Sequence, residues 1–158
     1  MISYEQSLKI LKKTKIKIKD EIINSGHSLN RLVSSNVYSS INYPTGDNAA
    51  FDGYAINSKD TNRIKKKSKK QFKIIGSIAA GSKPLKKNIK KFDAIEIMTG
   101  GILPKGFDTI IPIEQINFYP NKTNKKYILI DKKIKKHNHV RFAGSDFKKG
   151  EIILKKTI

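Results

Sequence analysis

Phe72-Lys73-Ile74-Ile75-Gly76-Ser77-Ile78 is an Ile-rich run, and the β-branched side chain of Ile favours the extended strand. Runs of the same kind follow at Ala94–Met98, with alternating faces, at Thr109–Ile113 and at Tyr127–Ile130. Glu151–Leu154 is the last, after a turn at Lys148-Lys149-Gly150, and Asn121–Lys126 reads as a hairpin loop. Working back from Phe72, Phe51–Asn57 also has the composition of a strand. Several short strands with turn signals between them predict a β-rich body. There is no βαβ alternation and no Gly-x-Gly-x-x-Gly fingerprint, which argues against a doubly wound nucleotide-binding domain. No internal repeat is present.

Helices are expected only at the start. Ser3-Tyr4-Glu5-Gln6 is a capping box, in which hydroxyl and amide groups of Ser3 and Gln6 satisfy each other. Tyr4, Leu8 and Leu11 then share one helical face, so a helix is predicted over residues 4–13. Ser28 reads as the cap of a second, short helix through Leu29-Asn30-Arg31-Leu32-Val33. Lys59–Lys70 is very basic and nearly without apolar residues, and reads as a solvated loop dispensable for folding. The fold class is α+β, mostly β. Residues 1–42 form a helical and linker segment, residues 43–140 a β-rich domain, and residues 141–158 a return segment.

Composition narrows the function. At 37% hydrophobic and 29% charged, the 158-residue chain buries a core. It has no cysteine, which rules out disulfides, zinc-thiolate sites and a cysteine nucleophile. The N-terminus lacks a signal-peptide pattern, and no apolar run approaches the ~20 residues that span a bilayer. A cytoplasmic protein with no membrane partner is the expectation. The net charge of +20 raises nucleic acid as a partner. Only Arg31, Arg63 and Arg141 are arginines, however, and the lysines are spread along the chain. A generic basic surface without specific nucleic-acid recognition is the simpler reading.

Several segments are able to carry chemistry. Pro44-Thr45-Gly46-Asp47-Asn48-Ala49-Ala50-Phe51-Asp52-Gly53-Tyr54-Ala55 packs acids, an amide and glycines together. It is either a loop closed by an Asp52-Gly53 turn, with Gly at positive φ, or a rigid loop presenting Asp52 to a polar ligand or Mg²⁺. Glu96-Ile97-Met98-Thr99-Gly100-Gly101 ends a strand in glycines whose N–H groups, with the Thr99 hydroxyl, suit an oxyanion; an ordinary strand exit is equally consistent. Arg141-Phe142-Ala143-Gly144-Ser145-Asp146 offers a cation and a carboxylate, or simply a hairpin with a surface ion pair. His137 and His139 would project from one side of a strand, where solvated histidines are the more ordinary outcome than metal ligands.

At these segments the chain resembles the molybdopterin molybdenumtransferase family. Pro44 to Ala55 is similar to that family's Pro-x-x-Asp-Asn-Ser-Ala-Met-Asp-Gly-Tyr-Ala, with Ala49 and Phe51 replacing Ser and Met. Ile97 to Gly106 looks like Ile-Met-Thr-Gly-Ala-Pro-x-Pro-x-Gly, with Gly101 and Ile102 in place of Ala-Pro. Arg141 to Asp146 resembles Arg-x-x-Gly-Glu-Asp, with Ser145 for Glu, and Glu114 falls where the family has an acid after an apolar strand. The motifs keep their order over essentially the whole chain.

The resemblance implies molybdenum cofactor biosynthesis at the metal-insertion step. A transferase of this family inserts molybdate into adenylylated molybdopterin, with Mg²⁺ assisting and AMP released. It implies a homodimer whose cleft lies between this β-rich region and a C-terminal α/β domain of the other subunit. The chain would then be a fragment, a truncated product or half of a split protein, inactive alone. Asp52, Thr99 and Asp146 would be catalytic, Asp52 and Asp146 would hold Mg²⁺, and Asp47, Asn48, Gly53, Gly100, Gly101 and Arg141 would bind the cofactor. Two rival readings are a non-catalytic dimerisation scaffold of the same fold and a basic nucleic-acid-binding module. The second needs stacking aromatics beside its basic runs, and Lys59–Lys70 contains none.

Overall fold

The computed structural model describes residues 2–15, 17–65, 68–83 and 88–157. Two compact units result, Met1–Val37 with Leu154–Ile158, and Tyr38–Ile153. The mostly-β α+β class read from the sequence holds: one α-helix stands at the start and strands make up the body.

In the first unit, helix α1 spans Tyr4–Lys13. The capping box forms as expected, with the Gln6 amide donating to Ser3 Oγ at 3.2 Å and the Ser3 amide to Gln6 Oε1 at 2.9 Å. The helix C-terminus carries Lys12 and Lys13, favourable to its dipole. The second helix does not form over Leu29–Val33. A 3₁₀ turn occupies Ser25–His27 instead, capped by the Asn24 side chain, and Ser28 closes it from the C-terminal end by donating to the Ser25 carbonyl. Asn24 reaches the Gly26 amide at 2.9 Å, and Asn30 at φ 63° turns the chain out of helical geometry. The C-terminal segment is tied back inside this unit: the Thr157 amide donates to the Val33 carbonyl at 2.9 Å, and the Lys156 amide to Asn36 Oδ1 at 2.8 Å.

The strands are β1 (Val37–Tyr38), β2 (Asn48–Ala49), β3 (Gly53–Ile56), β4 (Lys70–Ile78), β5 (Asp93–Ile97), β6 (Thr109–Pro112), β7 (Asn117–Pro120), β8 (Lys125–Ile130), β9 (Val140–Arg141) and β10 (Ile152–Leu154). Six of them form one sheet in the order β6-β3-β5-β4-β8-β7. β2 pairs with β9 over two residues, and β1 with β10 makes a further two-stranded sheet. The run at Phe72 is thus an inner strand, antiparallel to β8 and parallel to β5. The link between β4 and β5 carries no helix among its described residues.

Both faces of this sheet bury a core, which explains why β3, β5 and β6 read as nearly continuous apolar runs. Successive residues point to opposite faces. Tyr54, Ile56, Ala94 and Ile111 pack with Phe72, Ile128 and Ile130 on one side; Ala55, Ile95, Ile97 and Ile110 pack with Ala49, Ile78 and Phe107 on the other. Gly53 is required where β3 passes β6: a Cβ there would lie 2.1 Å from the Ile111 carbonyl oxygen.

Lys59–Lys70 is not simply a solvated loop. Its first part is a 3₁₀ turn over Ser58–Thr61, and Lys70 already begins β4. The Ser58 amide and hydroxyl donate to the Asp108 carboxylate at 2.7 and 2.9 Å. Thr61 is fully buried, its hydroxyl donating to the Ser58 carbonyl and accepting the Ile134 amide at 3.0 Å. Asp60 accepts the Phe92 amide at 2.9 Å. Composition missed this because the structural work falls to Thr61 and Asp60, polar side chains that bond backbone far away in sequence. Lys66 and Lys67 lie outside the described residues. Strand β7 also escaped the sequence reading: as an edge strand it is largely exposed and ends in Pro120.

Candidate functional site

The short strand β2 is the point where the three motif segments meet. The Asp47 carbonyl accepts the Leu103 amide at 2.8 Å, and Asp47 Oδ1 accepts the Ala143 amide at 2.9 Å. Asn48 pairs with Arg141 across β2 and β9 and bridges to Ile102. The Ala49 amide donates to the Gly101 carbonyl at 3.0 Å, the Gly100 amide donates to the Ala49 carbonyl at 2.8 Å, and the Ala50 amide donates to the His139 carbonyl at 3.0 Å. Residues 47–50, 100–103 and 139–143 are therefore one hydrogen-bonded assembly, though up to 96 positions apart in sequence.

Asp52 leaves this assembly just before β3. Its Oδ1 accepts both the amide and the hydroxyl of Thr99, each at 2.6 Å. The Thr99 hydroxyl, and then its amide, hold the Asp52 carboxyl below its ordinary range, so the group is an anion at neutral pH. Arg141 is ion-paired through Nη2 with Asp146 Oδ2, and the Ser145 hydroxyl donates to Asp146 Oδ1 at 3.3 Å. The Asp146 amide donates to the Tyr43 carbonyl at 3.0 Å and the Gly144 amide to Pro44, which fastens this turn beside the start of the first motif.

The oxyanion role expected of the glycine step is not available in this geometry. The Gly100 and Gly101 amides donate to the Ala49 and Met98 carbonyls, both at 2.8 Å. The Thr99 hydroxyl spends its proton on Asp52 and is left as an acceptor. The glycines have structural reasons. Gly100 sits at φ +80°, and a Cβ on Gly101 would approach Ile97 and the Met98 carbonyl to 2.9 Å. Gly53 is not a positive-φ turn glycine after Asp52; the backbone of β6 excludes its side chain.

His137 and His139 do not lie on a strand. Both adopt left-handed backbone, at φ 64° and 54°, in the turn before β9. His139 meets the edge of exposed Phe51 with ring centroids 5.0 Å apart, and His137 meets Phe142 at 5.1 Å. Neither pair is legible from local pattern, because both depend on the left-handed backbone at His137 and His139. Another contact not foreseen joins Tyr54 to Glu96 at 3.2 Å. Burial, with the Glu96 charge second, pushes the Tyr54 hydroxyl above its ordinary range, so it stays a proton donor. Glu114 lies exposed in the 3₁₀ turn Ile113–Gln115 that follows β6.

Among the described residues no three His, Asp, Glu or Cys side chains come together as a metal cage. The Asp146 carboxylate already faces Arg141 and Ser145. These residues do not build a resident Mg²⁺ site on their own. Asn48 differs from its neighbours in that its Oδ1 is buried without a donor among the described residues.

The fold and site define an α+β module, mostly β, in which a carboxylate loop is locked to a Thr-Gly-Gly strand exit. The chain is a member of the family described as MoeA N-terminal region (domain I and II), which matches residues 2–158. It is 29% identical over 155 residues to a molybdopterin molybdenumtransferase of Staphylococcus epidermidis, covering 98% of this chain and 36% of the relative. A Haemophilus influenzae protein of the same name is 30% identical, again with 98% and 36% covered. The crystal structure of the molybdopterin biosynthesis moeA protein from Pyrococcus horikoshii OT3 superposes with a TM-score of 0.84 at 27% identity, covering 99% of this chain and 40% of that one. The chain thus spans little more than a third of the length of these curated relatives. No described helix is long and apolar enough to cross a membrane.

Proposed function

We propose that this chain works in molybdenum cofactor biosynthesis, as one wall of a composite site where molybdate is inserted into adenylylated molybdopterin and AMP is released. The observation that carries this reading is the double hydrogen bond from Thr99 to Asp52. It brings the Asp of one family stretch onto the Thr of another and fixes a charged carboxylate on a rigid strand end. The remaining wall is a C-terminal α/β domain, contributed by the second subunit of a homodimer.

In this reading Asp52 orients a water or a ligand hydroxyl through the oxygen that Thr99 does not occupy, since Oδ1 is already doubly bonded. Asp47 and Asn48 hold the loop, and with Arg141 they set the distance between the Asp52 and Asp146 carboxylates. Gly53, Gly100 and Gly101 let the backbone approach closely enough for that spacing and are not anion ligands. Arg141 neutralises Asp146 until an anionic substrate competes for the guanidinium.

The test uses a full-length family member carrying this segment and its α/β domain. Asp52→Asn keeps the fold and removes the charge; the dimer should persist while the rate falls by roughly 100-fold. A forced heterodimer of Asp52→Asn with a subunit disabled only in its α/β domain retains one intact shared cleft, and activity should return. Near-normal rates in Asp52→Asn would reduce the residue to loop architecture. An inactive heterodimer would show that the cleft is not shared.

A further inference from the structure

A second feature lies at the other end of β5 from Thr99. Lys69, just before β4, Lys70 and Lys73, from its start, and Lys90 and Lys91, from the approach to β5, line one open groove of about 560 Å³ with Phe92 and Tyr127 in its wall. β5 begins at Asp93 and ends just before Met98 and Thr99, so a whole strand separates the groove from Asp52. The sequence shows these lysines as ordinary members of a dispersed basic population. The parallel pairing of β4 and β5, with Lys73 opposite Asp93, is what gathers them.

Among the described residues the acids at this groove bond backbone amides: Asp60 accepts the Phe92 amide at 2.9 Å at its wall. Asp93 is the acid in the lining, and it is 8% exposed with Oδ2 accepting the Lys90 amide at 2.7 Å. The ion pairs among the described residues, Arg31–Glu21 and Arg141–Asp146, involve none of the five lysines. Concave surfaces lined by one sign of charge focus their field and concentrate the opposite ion.

The chemistry of the wall narrows the ligand. Lys70 Nζ lies 4.3 Å and Lys91 Nζ 5.1 Å from the Phe92 ring centroid, and Phe72 meets Phe92 at 5.4 Å. Tyr127 is paired with Tyr119 at 6.3 Å. The Phe92 ring is engaged by two ammonium groups rather than left as a platform for base stacking. Recognition is left to ammonium groups, which act as compact point charges suited to phosphate oxygens.

We propose that this groove is an oligophosphate-binding site, separate from the Asp52 site, that holds a compact chain of phosphates by charge and without ring recognition. The phosphate chain is the shared chemistry of an inorganic polyphosphate and a nucleotide, and the experiment separates them. Inorganic triphosphate is titrated into the protein by calorimetry at physiological ionic strength, without divalent cations. A single saturable site is expected. The triple variant Lys70→Gln, Lys73→Gln, Lys91→Gln should weaken it by about tenfold or more, whereas replacing the same lysines by Arg should preserve it. Lys105→Gln, Lys148→Gln, Lys149→Gln removes equal charge elsewhere and should change affinity by less than about twofold. Circular dichroism and the thermal midpoint verify that each variant is folded. ATP should match triphosphate; ATP binding about tenfold tighter would overturn recognition by phosphate alone. Non-saturable binding, or equal loss in the groove and control variants, would overturn the site. So would a single-stranded oligonucleotide that binds more tightly per phosphate and loses affinity equally in both variants.

Discussion

Asp52 and Thr99 are joined twice at a single atom, with the Thr99 amide and hydroxyl both donating to Asp52 Oδ1 at 2.6 Å. The arrangement locks the loop before β3 to the exit of β5 and keeps the carboxylate charged. It also makes the acid response of this junction readable.

Asp52 has a folded-state pKa below its ordinary value near 3.8, owing first to the Thr99 hydroxyl and then to its amide. A depressed acid contributes stability that is fully present above the unfolded value and is lost as pH falls through the folded one. The difference in thermal midpoint between the wild type and Asp52→Asn should therefore be constant from neutrality to about pH 5 and shrink steadily below about pH 4. A difference that grows on acidification would contradict the assignment.

Gly53→Ala should be among the most damaging small substitutions in the chain. Its Cβ would sit 2.1 Å from the Ile111 carbonyl oxygen, so β3 and β6 must separate. A loss of about 3 kcal/mol or more is expected in urea unfolding. Gly150→Ala is the contrast: nothing lies within 4 Å of its Cβ, and the cost is confined to the backbone at φ +84°, about 1 kcal/mol. Equal effects at the two positions would show that β3 and β6 do not approach closely enough to exclude a side chain.

Thr61→Val tests the buried turn within the lysine-rich stretch. The substitution keeps the shape and removes the acceptor for the Ile134 amide. An orphaned buried N–H costs about 1–3 kcal/mol, which should appear as a lower urea midpoint with an unchanged slope. Replacing residues 65–69 with a Gly/Ser loop should cost much less, because Thr61 and Asp60 remain. If that replacement destabilises more than Thr61→Val, the anchoring function has been assigned to the wrong residues.

Asp47→Ala should loosen the turn that presents Asp146 while leaving the six-stranded sheet intact. Asp47 Oδ1 is the acceptor for the Ala143 amide. Hydrogen exchange at Ala143 should accelerate by about tenfold or more, with protection across β3 and β5 unchanged. Asp47→Asn retains an acceptor oxygen and should keep most of the protection. Unchanged exchange at Ala143 in Asp47→Ala would remove Asp47 from the assembly.

Periodicity and local chemistry alone determined the α1 capping box, the strand runs around Phe72, Ala94, Thr109 and Tyr127, and the mostly-β class. Each depends on neighbours a few residues away. The motif order was legible too, and with it the family. What only the tertiary structure decided are the meetings between distant segments: Asp52 with Thr99, Asp47 with Ala143, and Thr61 with Ile134. Tertiary context also overruled plausible local readings. Ser28 closes a 3₁₀ turn capped by Asn24 instead of starting a helix, the Gly100 and Gly101 amides went to backbone carbonyls, and Gly53 proved to be dictated by the proximity of Ile111. Which groups meet, as hydrogen-bond partners at Thr99 and Ala143 or as a steric limit at Gly53, is set by strand pairing and chain reversal. For the buried Ile134 amide the partner must be whatever acceptor the fold brings within reach, and that pairing is written in no single stretch of the chain.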